Sequence, residues 1–67
     1  SRPAEELDQV IYEMIPQGSW VRVTAMHEPT LTEIVVRGPA SAGVDALQRL
    51  AHDRLLWVMR RQGKPRT

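Results

Sequence analysis

The sequence predicts an α+β domain, a three-stranded antiparallel meander followed by one long C-terminal helix, carried by two chains as an intertwined or domain-swapped homodimer. Three observations lead there. Residues 10–15, 20–26 and 32–37 are short runs rich in β-branched and apolar residues, separated by Gly and Pro punctuation. From Ser41 to about Gln62 the apolar spacing changes to the helical period. Finally, 67 residues without a cysteine make a core that is marginal alone. Disulfides and thiolate metal sites are excluded, so association is the remaining support.

Residues 1–8 read as a mobile acidic arm, 9–63 as the single β-β-β-α domain and 64–67 as a basic tail. Val10 to Ile15 is dominated by β-branched and aromatic residues and forms the first strand. Pro16-Gln17-Gly18-Ser19 punctuates it, and Gly18-Ser19 suits a two-residue type II′ turn with glycine supplying positive φ. Trp20 to Met26 alternates, with Val21, Val23 and Ala25 on one face. His27 to Thr30 is a loop, because Pro29 bars an interior strand. Thr32 to Arg37 is the third strand, ended by Gly38-Pro39.

A turn centred on Gly18-Ser19 sets Met14 opposite Val23 and Tyr12 opposite Ala25, and one centred on Gln17-Gly18 shifts the pairing by two without changing the faces. One face then holds Val10, Tyr12, Met14, Val21, Val23 and Ala25, completed by Ile34 and Val36. The other holds Ile11, Glu13, Ile15, Trp20, Arg22, Thr24, Glu33, Val35 and Arg37, half polar with an apolar corner at Ile11, Ile15 and Trp20.

Ser41 is the expected N-cap of the helix, and Asp45 lies in its first turn, where the dipole favours an anion. With Leu47 at zero, Val58, Ala51, Val44, Leu55 and Met59 fall at about 20° to 120° around the helix, and Trp57 and Leu50 at about 280° to 300°. This apolar arc of about 200° is twice the stripe one sheet face needs, and Leu56 lies beyond it at about 180°. One helix covers one face of a three-stranded sheet, so both elements keep an apolar surplus. Ile11, Ile15, Trp20, Leu50, Leu55, Leu56, Trp57 and Met59 are therefore expected at an isologous dimer interface. The connections at 27–32 and 38–43 each contain a proline and are the candidate hinges for exchange.

Val21-Arg22-Val23-Thr24-Ala25, Gly38-Pro39-Ala40 and Leu47-Gln48-Arg49-Leu50-Ala51, followed by Leu55 and Val58, resemble a family of short bacterial proteins of unknown function. The similarity runs from about residue 10 to 63. It implies a stand-alone small α+β protein and brings no known activity or catalytic residues.

The composition, 42% hydrophobic and 25% charged, is that of a folded chain, and no apolar run is long enough to span a membrane. The start shows no signal-peptide apolar region, which points to the cytoplasm. Residues 1–13 carry Arg2 against Glu5, Glu6, Asp8 and Glu13, whereas 60–67 hold Arg60, Arg61, Lys64 and Arg66. The body between is balanced.

No enzyme, cofactor or metal is expected. His27-Glu28 lies at a loop tip with only Thr24, Thr30 and Thr32 as nucleophiles nearby, and His52-Asp53 falls on the polar side of the helix. The segment Gly38 to Gly43 lacks the Lys-Ser/Thr end and glycine spacing of a phosphate loop. The leading expectation is a homodimeric protein–protein interaction module that contacts a further protein through residual apolar surface or a sheet edge. The alternative is a nucleic-acid accessory protein acting through paired basic ends, with Arg60, Arg61, Lys64 and Arg66 as contacts.

Overall fold

The computed structural model describes residues 7–63, in which the chain forms β1 (Val10–Gln17), β2 (Trp20–His27), β3 (Thr32–Pro39), a 3₁₀ turn (Ala40–Ala42) and α1 (Val44–Gly63). The strands make one antiparallel sheet in the order β1-β2-β3. Residues 1–6 of the expected arm and the expected tail at 64–67 lie outside the described residues. Leu7, assigned to the arm by sequence, packs against the core.

The β1–β2 register is the one set by a Gly18-Ser19 turn, with Gln17 opposite Trp20, Met14 opposite Val23 and Tyr12 opposite Ala25. Gly18 has φ 68° while Ser19 does not have positive φ, as a II′ turn requires. Pairing runs up to the turn, so β1 continues through Pro16 rather than ending at Ile15. The residues flanking a two-residue turn form a hydrogen-bonded pair, and bonding alternates from there. Pro16 therefore occupies a position whose N–H would point away from β2, where its absence breaks no ladder bond.

The second connection is tighter than the sequence suggests, because His27 and Thr32 are paired and only residues 28–31 turn. The Leu31 N–H donates to the Glu28 carbonyl at 3.2 Å, with Pro29 at the second position, which its fixed φ suits. Leu31 closes the loop at φ 58°, 75% exposed. The Glu28 N–H reaches the Gln9 carbonyl at 3.0 Å, extending the β1–β2 ladder beyond Val10. The Thr30 and Thr32 hydroxyls link His27 Nδ1 to Gln62 Oε1, tying this loop to the helix end.

The passage from β3 to α1 departs from expectation. Ser41 is not the N-cap; it sits inside the 3₁₀ turn. Gly43, at φ 92° and ψ 159°, breaks that turn from the helix, and its carbonyl accepts the Leu47 N–H at 3.1 Å. Glycine adopts such a backbone with little penalty, so the α-helix starts at Val44.

The core is Val21, Val23, Ala25, Ile34, Leu47, Ala51 and Leu55, with Val10, Tyr12, Met14, Val36, Val58 and Met59 packed around it. These are the strand residues expected to share a face, and α1 lies over β2 and β3. Small residues bring helix and sheet close, since Ala25 and Ala51 are both fully buried. The approach is tight at Gly38, where a Cβ would stand 2.5 Å from Leu47 Cδ2. Leu47 is itself buried and has little space to yield.

Gly38→Ala is expected to lower the unfolding free energy by about 1–3 kcal/mol, the usual effect of overpacking. In the Leu47→Ala background the same change should destabilise much less, as a double-mutant cycle in urea will measure. Leu31→Asn, which tolerates positive φ better, should raise stability by about 0.5–1 kcal/mol in the same assay.

Candidate functional site

Side-chain alternation leaves one whole face of the sheet without a covering layer among the described residues. Its rows are Ile11–Met26–Glu33, Glu13–Thr24–Val35, Ile15–Arg22–Arg37 and Gln17–Trp20–Pro39. Trp20 is 52% exposed, and Ile11 and Val35 are also exposed, whereas Ile15 and Met26 are half-buried. Two acids and two arginines balance the charge of this face. Arg22 and Arg37 are direct cross-strand neighbours, a like-charge pair that disfavours the isolated sheet.

The second surface lies where α1 passes the outer edge of β3. Val35, Val36, Arg37, Leu50, Asp53, Arg54 and Trp57 line a shallow groove there. Trp57 is 50% exposed, and Leu50 is exposed beside it. The Arg54 and Arg61 guanidinium carbons lie 5.0 and 4.9 Å from the Trp57 ring centroid. Each such contact contributes about 0.5–1 kcal/mol at an exposed site and holds the indole in place. The spacing that makes it possible, i−3 and i+4 around Trp57, was legible on the helical wheel.

The residues expected at one interface are thus distributed over four places. Ile11, Ile15 and Trp20 share the open sheet face but not one corner, because Ile11 pairs with Met26 at one end and Trp20 with Gln17 at the other, with only Ile15 near the indole; Leu50 and Trp57 form the β3-side flank of α1. Leu56 turns to the opposite flank, where with Leu7, Val10, Tyr12 and His52 it lines a groove between α1 and β1. Leu55 does not belong to a surface at all: it is 0% exposed in the chain's own core, because α1 is rotated so that the Leu47–Ala51–Leu55 row points straight at the sheet. Met59 likewise packs against that core.

Among the expected nucleic-acid contacts, Arg60 and Arg61 occupy the last turn of α1, and Arg61 is stacked on Trp57. Lys64 and Arg66 lie outside the described residues. Sequence reading placed Glu33, Val35 and Arg37 on the second, half-polar face of the sheet with no further role. Their position along one sheet edge depends on β3 being an outer strand, which alternation alone does not say.

Among the described residues no three His, Cys, Asp or Glu side chains come together as a metal group, and no helix is long and apolar enough to cross a membrane. His52 Nδ1 lies 3.6 Å from Asp53 Oδ1, a pair of sequence neighbours on the outside of α1. No buried side-chain nitrogen or oxygen lacks a partner among these residues.

The division into core and surface carries a direct consequence for stability. Leu55→Ala should lower the unfolding free energy by about 2–5 kcal/mol, whereas Ile11→Thr should stay within about 0.5 kcal/mol. Urea denaturation at low protein concentration will check both.

No curated protein and no solved structure matches the chain. A family model does match, over residues 7–62, from the first described residue to the last turn of the helix. By that match the chain belongs to the family described as the domain of unknown function DUF6898.

Proposed function

We propose that this chain works as a homodimeric protein–protein interaction module, cytoplasmic and, in keeping with the resemblance, bacterial, with no catalytic activity of its own. The observation that carries this reading is the pair of uncovered apolar surfaces on opposite sides of a core only seven residues strong. Each surface presents a half-exposed tryptophan, Trp20 diagonal to the half-buried Ile15 on the sheet and Trp57 on the same flank as the exposed Leu50 on the helix. Tryptophan is the residue most enriched among binding hot spots. Two such anchors on a 67-residue chain exceed the scattered exposure that a small monomer shows. One surface joins two copies and the other remains for a further protein.

Side-by-side association is favoured over helix exchange by the 38–43 connection. Its hydrogen bonds from Gly43 to Ala40 and from Leu47 to Gly43 run straight into the Gly38–Leu47 contact, so opening it breaks the core. Exchange would leave the same helix-on-sheet contacts but between chains, which a mixed labelled and unlabelled sample distinguishes.

The nucleic-acid reading draws on Arg60 and Arg61 at the helix end and on the basic residues that follow. It is the weaker one, because the open sheet face is charge-balanced and the Trp57 ring already carries two guanidinium groups. A steep fall in oligonucleotide binding with salt, abolished by Arg60→Ala plus Arg61→Ala, is the result that would favour it.

Light scattering over a wide concentration range should give twice the chain mass, with a thermal midpoint that rises with concentration because association and folding are linked. Trp57→Ala should weaken the dimer by about 2 kcal/mol or more. A chain mass at every concentration would overturn the homodimer.

A further inference from the structure

We infer that two copies of this chain join through the outer edge of β3, in the register that places Val35 opposite the partner's Val35, to form one six-stranded sheet with both helices on the same face. This rests on the homodimer proposed above and specifies its interface.

The edge itself selects the strand. Bonding alternates from the Gln17–Trp20 pair, so Val21, Val23, Ala25 and His27 direct their backbone groups to β3, and Ile34 and Val36 receive them. Glu33, Val35 and Arg37 are left with N–H and C=O pointing outward along an eight-residue strand. Such an edge is a template for another strand. The β1 edge is blunted at its corresponding outward position by Pro16, which has no N–H to donate. β3 carries no proline before Pro39, its last residue.

Charge selects the register. A twofold axis perpendicular to the sheet makes the two β3 strands antiparallel. Centred on Val35, it sets Glu33 opposite the partner's Arg37 and Arg37 opposite the partner's Glu33. Opposite charges at directly facing positions are favourable, and like charges are not. Centring on Glu33 or on Arg37 would face like charges, and centring one residue either side of Val35 would face each charge with an uncharged residue. Glu33 and Arg37 make no ion pair among the described residues. The partner's Glu33 would also offset the repulsion between Arg37 and its neighbour Arg22.

The helices agree with this axis. Strands lie about 4.8 Å apart, and α1 spans β2 and β3, so the twofold brings the two helix axes to about 10 Å, a packing distance. Leu50 and Trp57, two turns apart on one flank, border the groove along with Val35, and Asp53 and Arg54 lie midway between them. In an antiparallel helix pair about that midpoint, Leu50 meets the partner's Trp57 and Asp53 meets the partner's Arg54. Both half-exposed residues of the β3-side flank are thereby covered, while Trp20 on the opposite face of the sheet stays free.

Glu33→Arg and Arg37→Glu test the register, with circular dichroism confirming that each variant folds. Each alone turns two attractive cross-strand pairs into two repulsive ones and should raise the dimer dissociation constant about tenfold or more. Mixed together, Glu33→Arg and Arg37→Glu should form heterodimers in preference to either homodimer, since both facing pairs are again opposite in charge; the double variant should dimerise as the natural chain does. Native mass spectrometry of the mixture reads this directly. If the natural chain dimerises but both single variants dimerise equally well and mix at random, this interface is wrong and the homodimer stands. If the natural chain has the monomer mass throughout, both fall.

Discussion

The missing side chain at Gly38 is the constraint on which the arrangement of this molecule depends. Glycine inside a strand weakens it, lacking a side chain to pack and carrying extra backbone entropy. Here the empty space is filled by Leu47 from the first turns of the helix. That one insertion fixes how close α1 approaches β3, and the Leu47, Ala51 and Leu55 row then falls on Val23, Ala25 and Ile34 at full burial or near it. Pro39 limits the direction in which the chain leaves β3, and Gly43 at φ 92° permits the break that starts the helix at Val44. With only seven buried hydrophobic side chains among the described residues, every contact is a large share of a net stability that is small in any domain.

Close docking over β2 and β3 has a consequence on both sides. The helix can use only the narrow stripe centred on Leu47, Ala51 and Leu55, which leaves Leu50 and Trp57 beyond the edge of β3. The sheet, covered on one face, exposes the other with Trp20, Ile11 and Val35 on it. A half-exposed indole clamped by two arginines and an unguarded strand edge meet at the same place on the molecule. A small domain that lacks cysteine and metal groups among its described residues gains most from an interface that continues its own sheet, since backbone bonds then add to side-chain burial. The open sheet face is charge-balanced, with Trp20 and Ile15 at one end and Ile11 at the other.

Much of this is legible in the sequence. Alternation sorted every core strand residue onto the correct face, because side-chain direction in a strand has a period of two, while the choice between a Gly18-Ser19 and a Gln17-Gly18 turn, and with it the β1–β2 register, stayed open until the fold decided for the former. The helix and its apolar excess were visible in its periodicity. Less visible were the strand ends, since Pro16 and Pro39 are compatible with pairing wherever their missing N–H points away from the neighbour. Ser41 was misread as a cap because cap propensity is local, whereas Gly43 at positive φ decides where the helix begins. Leu55 was assigned to an interface because an apolar arc does not say which part of it faces the sheet.

The amino-acid sequence by itself determined which elements form, which strand faces are apolar, and that the chain carries more apolar surface than one layer of packing can hide. These depend on local periodicity, turn chemistry and composition, each confined to a few neighbouring residues. Only the tertiary structure decided where that surplus lies: that the helix sits over β2 and β3, that Leu55 is inside and Trp57 outside, and that Glu33, Val35 and Arg37 line a free edge. Those outcomes depend on the rotation and lateral position of the helix on the sheet. Close contact between residues distant in sequence sets both, above all Gly38 with Leu47.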